Sequence, residues 1–198
     1  MVLLAASLCR GMSGSRPEVA QRLAEMLNKG VTPVVPSRGS VGASGDLAPL
    51  AHLALVLCGE GEAMYGEQTM AGKDAMGEAG ITPISPIEKE GLALINGTHM
   101  MASIASLALA DIAILCEAAV TSTAMAIDAA KATDTFLDQR LHLARVQSGQ
   151  QTVASTLRAH LKGSTIMESH KEGDHRVQDP YSFRCSPQVL GASIEAIA

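Results

Sequence analysis

The 198-residue chain has no tryptophan and only two phenylalanines and two tyrosines. Alanine is abundant instead, and such small side chains let helices approach closely, which implies a tight bundle. Basic charge is also short: 15 Lys and Arg stand against 20 Asp and Glu, a net charge of −5. That balance argues against nucleic acid as a partner, because phosphate binding wants a basic face. The four cysteines lack paired spacing and fit a reducing cytosol better than a disulfide framework. Cys9, Cys58 and Cys116 lie in apolar helical stretches and read as buried packing residues, as does Cys185. The six histidines have no metal-ligand spacing, so no metal is expected. The apolar start Met1-Val2-Leu3-Leu4 lacks a positive n-region, which argues against a secretory signal. Leu92 to Ala110 carries no formal charge and approaches membrane-spanning length. Asn96, Thr98, His99, Ser103 and Ser106 interrupt it, so it reads as a buried helix of a soluble bundle. A cytoplasmic protein with no membrane partner is expected.

What the chain does have is a run of small residues, Ser40-Val41-Gly42-Ala43-Ser44-Gly45, that stops at Asp46 and passes into an apolar helical stretch. A helix N-terminus attracts phosphate, but a P-loop needs a lysine after its glycines, and none follows. Gly42 and Gly45 lack the third glycine of a dinucleotide loop. A nucleophile elbow needs glycine two residues on either side of its serine; Gly42 satisfies one side and Asp46 breaks the other. Two readings remain. One is a flexible loop with Asp46 as N-cap of the following helix. The other is self-cyclisation: the amide nitrogen of Gly45, which has no side chain to block it, attacks the carbonyl carbon of Ala43. Loss of one water closes a five-membered ring. Loss of the Ser44 hydroxyl as a second water leaves a methylidene-imidazolone, an electrophile made from the chain itself. The helix that starts near Asp46 places partial positive charge beside the ring oxygen, and Asp46 is a candidate to assist the cyclisation.

The other local signals are mostly helical. Ser15-Arg16-Pro17-Glu18 reads as a capping box, with Val19, Leu23, Met26 and Leu27 at helical spacing and a stop at Lys29-Gly30. Two prolines predict an extended stretch from Val31 to Pro36. Leu47 to Cys58 reads as a short helix stopped by Gly59, and Glu62 to Ala71 as a small hairpin about Gly66. Ser85-Pro86-Ile87-Glu88 reads as a second capping box. Ile104, Leu107, Ile112, Leu115 and Ala119 predict one long helix. Lys162 to Pro180 reads as a polar loop, and Ile194 to Ala198 as helical with no stop.

Four segments resemble the aromatic amino acid ammonia-lyases, in order and spacing. Val35 to Leu57 is similar to the family's prosthetic-group segment, and Gly91 to Thr98 (GLALINGT) to its asparagine motif. The third is HLAR at His142 to Arg145. Val177 to Gly191 (VQDPYSFRCSPQVLG) resembles the tyrosine and arginine motif. HLAR and the pair Arg184-Cys185 lean toward the histidine-specific branch. His99 departs from the glutamine common after NGT in that branch. The resemblance implies a mainly α fold: a helical bundle with a long central helix, a small β-hairpin and a glycine-rich ring-forming loop. Residues 1–198 would form a single partial domain, the central part of a longer lyase.

The reaction implied is non-oxidative loss of ammonia from a small-molecule amino acid, giving urocanate from histidine, with no external cofactor. Ala43, Ser44 and Gly45 would form the ring. Asn96 would hydrogen-bond near the ring or the substrate amine, Tyr181 would orient the amine, and Arg184 would clamp the carboxylate in bidentate fashion. Gln178 is a weaker contact candidate. Whether the electrophile meets the substrate amine or its aromatic ring stays open. The family's basic tyrosine lies before Met1 and an acidic selector beyond Ala198, and its active sites gather residues from three subunits of a homotetramer. The chain alone is therefore expected to be inactive or nearly so. A phenylalanine or tyrosine lyase, an aminomutase, or a non-catalytic helical interaction module are the alternatives.

Overall fold

The computed structural model describes residues 1–41 and 46–197. The chain divides into two compact units, Met1–Leu107 and Ala108–Ala198. Both are mainly helical.

The first unit opens with helices α1 (Val2–Cys9) and α2 (Pro17–Lys29). Val19, Leu23 and Met26 form the buried stripe of α2, as their spacing predicts. Gly30 ends the helix at φ 75°, and Val31 N–H reaches back to the Met26 carbonyl at 2.9 Å, the six-residue closure of a Schellman stop. Helix α3 (Leu47–Leu57) stops in the same way at Gly59, φ 81°. Strands β2 (Glu62–Tyr65) and β3 (Gln68–Ala71) pair antiparallel, with Tyr65 opposite Gln68 and Gly66 supplying a left-handed turn residue at φ 61°. A short strand β1 (Thr32–Pro33) from the expected extended stretch adds a third strand beside β2. Helix α4 (Gly72–Glu78), not anticipated from the sequence, follows the hairpin. Leu4, Leu8, Leu23, Met26, Leu53, Val56, Leu57, Ala63, Met76 and Leu94 build one core.

Neither expected capping box forms. Helix α2 starts at Pro17, so Arg16 holds the N-cap position with no side-chain cap. Arg16 is drawn elsewhere: its backbone N–H, Nε and Nη2 all donate to the fully buried Glu90 carboxylate at 2.9 Å. The same carboxylate accepts the Ile87 N–H at 3.0 Å. Glu90 thus pins the segment after Ser85 in an irregular path, and helix α5 (Glu90–Ile95) begins only there. Four donors around one carboxylate hold its pKa at about 2, against the desolvation that would raise it.

Helix α6 (His99–Ala129) runs from the first unit into the second. By length and composition the helical stretch 90–129 is apolar enough to cross a membrane. The long helix is as expected, but its burial is not. Ile104, Leu107, Ile114 and Leu115 are exposed, and only Val120, Ala124 and Ile127 are buried. The apolar positions surround the helix, and among the described residues its buried positions lie only near its C-terminal end. Lys131 ends it in the left-handed region at φ 51°, with Ala132 N–H on the Ile127 carbonyl at 2.9 Å.

The second unit continues with a 3₁₀ turn (Thr135–Leu137) and helices α7 (Gln139–Leu143), α8 (Ser148–Leu161), α9 (Thr165–Glu168), α10 (Tyr181–Arg184) and α11 (Ser186–Ile197). Val120, Ile127, Leu137, Val153, Leu157, Leu161 and Met167 form its core. Helices α8 and α11 meet at two glycines. A Cβ on Gly149 would lie 2.3 Å from the Gly191 carbonyl oxygen, and one on Gly191 would lie 2.4 Å from the Gln150 nitrogen. The expected loop 162–180 contains α9, whose N-cap Ser164 accepts the Met167 N–H. All four cysteines are free thiols; Cys9 is exposed and the other three are half-buried, so none is a fully buried packing residue.

Candidate functional site

Ala43, Ser44 and Gly45, the proposed ring-forming triplet, lie outside the described residues; both flanks are described. Asp46 is completely buried. Its Oδ1 accepts the Ser40 hydroxyl at 2.9 Å, and its Oδ2 accepts the Met101 N–H at 2.9 Å. Its own N–H donates to the Gly97 carbonyl at 2.8 Å. Asp46 does precede α3, yet its side chain does not cap that helix. It caps α6 instead, which has no acidic residue in its own first turn. A carboxylate among orphan N–H groups at a helix N-terminus satisfies both the donors and the helix dipole. One buried residue therefore ties the near flank of the triplet, its far flank, the NGT turn and the start of α6.

Asn96 stands at the C-cap of α5 (φ −93°, ψ 83°), with its N–H on the Leu92 carbonyl at 2.9 Å and its side chain exposed. At Gly97 a Cβ would lie 2.4 Å from the His99 ring, so a side chain there would force that ring to move. Nδ1 of His99 is buried without a hydrogen-bond partner among the described residues.

Gln178, Tyr181 and Arg184 belong to the second unit, Asn96 and Asp46 to the first. Arg184 is half-buried; its Nε donates to the Asp179 carbonyl at 2.9 Å, and its guanidinium carbon sits 5.3 Å from the centre of the Tyr181 ring. That separation is within cation–π range. Tyr181 is otherwise 70% exposed. Arg184 and the exposed Gln178 line a cavity of about 200 Å³ with Thr133, Asp174 and Asp179. Tyr181 lines a different one, of about 380 Å³, with Arg145, Gln150, Gln188 and Glu195. The Arg184 guanidinium thus bridges from one cavity toward the ring that borders the other.

Two residues here escaped the sequence reading, and a third, His142, entered it only as part of a motif. Asp179 is 4% exposed, and its Oδ2 accepts both the N–H and the hydroxyl of Thr133 at 2.8 Å. Arg176 donates to the Ala130 carbonyl at 3.2 Å and to that of Lys131, just past the end of α6. It also pairs with Asp174, whose pKa it holds at about 2. His142 of the HLAR segment is buried. Its Nε2 lies 2.9 Å from the Phe136 carbonyl, which can only accept, so Nε2 carries the proton and Nδ1 accepts from the Gln150 amide at 3.0 Å. That histidine is a satisfied core residue. A run of charges such as Asp174 to Asp179 reads as solvated surface in a sequence; only the tertiary partners distinguish Asp179.

Residues 1–198 match the family described as aromatic amino acid lyase. The chain is 54% identical, over 197 residues, to a histidine ammonia-lyase of Koribacter versatilis (strain Ellin345), covering all of this chain and 38% of that protein. Among solved structures it is similar to a histidine ammonia-lyase from Trypanosoma cruzi, 36% identical with a TM-score of 0.86, over 99% of this chain and 35% of that one. It is also similar to a phenylalanine aminomutase of Pantoea agglomerans, 32% identical with a TM-score of 0.89, over 98% of this chain and 40% of that one. The chain thus spans well under half the length of each.

Proposed function

This chain belongs to the aromatic amino acid lyase family, and from that premise we propose that it is the ring-forming segment of a histidine ammonia-lyase that converts L-histidine to urocanate and ammonia. The observation that carries the reading is the buried Asp46, directly after Gly45, which accepts from Ser40 ahead of the triplet and donates its N–H to the Gly97 carbonyl. Fixed ends lower the entropic cost of closing the segment between them into a tight bend. The triplet suits a methylidene-imidazolone, because Ala43 is small and Gly45 has no side chain. When formed, that group would supply an electrophile to the substrate, at its amine or at its aromatic ring.

The remaining roles fall to the chain's own side chains. Arg184 has its Nε occupied, and among the described residues nothing accepts from its two Nη atoms. They are the natural partners of the substrate carboxylate, in a bidentate contact that fixes orientation. The exposed Tyr181 phenol is assigned to orient the amine, and the Asn96 carboxamide to hydrogen-bond near the ring or the amine. Gln178 contacts the substrate beside Arg184. The uncovered apolar face of α6 is read as the seat of sister chains in a homotetramer, in the cytoplasm and without a membrane or nucleic-acid partner.

A segment of a phenylalanine or tyrosine lyase or of an aminomutase is the second reading, favoured by His99 in place of the glutamine common in histidine-specific relatives. Intact mass tests the first step. A longer lyase containing this segment should be lighter than its sequence by two waters, and its Ser44→Ala variant should not. Turnover of histidine, phenylalanine and tyrosine by that protein then separates the substrate classes. An unmodified mass together with no turnover leaves a non-catalytic helical module.

A further inference from the structure

We propose that Asp179 is a positioning residue for Arg184: by locking its own backbone to Thr133, it holds the carbonyl that fixes the Arg184 guanidinium. The inference deepens the reading of Arg184 as the carboxylate clamp and rests on it. Asp179 spends its side chain and its main chain on different partners. Oδ2 accepts two hydrogen bonds from Thr133, both at 2.8 Å. The carbonyl oxygen of the same residue accepts from Arg184 Nε at 2.9 Å. Pro180 follows, and a residue before proline is kept out of the helical region. Helix α10 starts only after it, and its first turn closes on the Pro180 carbonyl, so the Asp179 carbonyl is left for the Arg184 side chain.

The consequence is directional. A guanidinium fixed at Nε has one free edge, formed by Nη1 and Nη2. A substrate carboxylate must therefore meet Arg184 end-on across those two atoms. The second oxygen, Oδ1, makes no hydrogen bond with a described residue and lies 3.8 Å from Arg176 Nη1. Burial of the Asp179 side chain keeps that oxygen from the ligand, so Asp179 acts through Arg184 and not by contact.

The test has two arms. In the first, the 198-residue chain is labelled with ¹⁵N-arginine, and solvent exchange of the Arg184 Nε–H is compared with that of the exposed Arg10. The Arg184 proton should exchange at least about tenfold more slowly. Asp179→Ala should bring it to the Arg10 rate, and Asp179→Asn, which keeps a carbonyl acceptor for Thr133, should keep it slow. Unchanged protection in Asp179→Ala overturns the proposal. If that variant does not fold, Thr133→Val replaces it and should show an intermediate rate; an unaltered rate overturns the proposal equally. In the second arm, a longer lyase carrying the segment should show a roughly tenfold higher KM for Asp179→Ala with a smaller change in kcat, and little further change when Arg184→Lys is already present. Additive effects would mean a general structural role and overturn the proposal. If Arg184→Lys alone leaves KM unaltered, the clamp reading fails, while the exchange arm still decides what Asp179 does to Arg184.

Discussion

The carboxylate of Asp46 lies 2.9 Å from the backbone nitrogen of Met101, in the first turn of a helix 55 residues away in sequence. A residue that stands before one helix caps another. The sequence position names the first helix as its charge partner; the fold assigns the second, because α6 presents unpaired N–H groups beside a buried acid.

Replacing that carboxylate should be felt at both places it binds. Asp46→Asn can keep its carbonyl oxygen on the Met101 N–H and turn its NH₂ to the Ser40 hydroxyl, which can accept, but it gives up the charge at the start of α6. Asp46→Ala loses both bonds. A cap is worth about 1 kcal/mol, and a charge-assisted bond about 1.5–3 kcal/mol. We expect a loss of roughly 2 kcal/mol for Asn and more for Ala, read from urea denaturation. Midpoints unaltered in both variants would show that the contact contributes nothing.

Glu90 should impose an acid limit on the first unit. Its folded pKa is about 2, below the ordinary 4.5. A depressed carboxylate stabilises the fold above its unfolded pKa, and that contribution is lost as the pH falls from about 4.5 through 2. Wild type should lose stability across that window more steeply than Glu90→Gln. At neutral pH the variant should already be weaker by roughly 3 kcal/mol, the low end for breaking a buried pair, since Arg16 is partly exposed. Parallel pH profiles for the two proteins would remove Glu90 from the acid transition, leaving Asp138 and Asp174, which also titrate near 2.

Gly149→Ala and Gly191→Ala should each force α8 and α11 apart. The new methyl groups would overlap backbone atoms at 2.3 and 2.4 Å, and backbone cannot swing aside as a flexible side chain can. Overpacking costs about 1–3 kcal/mol or more. Gly77→Ala in α4 is the contrast, because a Cβ there meets nothing within 4 Å. It should be neutral or stabilising by up to about 1 kcal/mol. Thermal melts followed by circular dichroism decide; equal midpoints for all three would contradict the close crossing.

Arg184→Lys in a longer lyase should raise KM about tenfold, or about 1.4 kcal/mol of binding, while intact mass still shows the loss of two waters. An ammonium cannot copy the planar fork. Unchanged kinetics would take Arg184 out of the site.

Much of the architecture was legible because it is written locally. Gly30, Gly59 and Gly66 each sit where a left-handed residue is needed, and each marks an end or a turn correctly. The stripe Val19, Leu23 and Met26 carries its helical period on its face. Most of the failures have a remote partner as their cause. Arg16 gives its N–H to Glu90, 74 residues away, so the first set of capping-box letters forms none; the second fails locally, because Glu90 takes the Ile87 N–H three residues before it. The apolar period of α6 specifies a helix but not what covers it, and most of its large side chains are exposed. At the candidate site, motif resemblance picks out Tyr181 and Arg184, whose side chains lie within cation–π range of each other. It passes over Asp179, whose importance lies in contacts with Thr133, 46 residues earlier.

Helix α6 has neither an acid in its first turn nor a base in its last. Asp46 and Arg176 attend to its two ends from other segments. The helix's own letters are thereby released from that duty, and its terminal turns can change with little electrostatic consequence so long as those two residues stay. The same arrangement makes the element poor cargo for transplantation. Residues 99–129 grafted onto another scaffold would arrive with both ends bare, because what fixes them would be left behind in the donor.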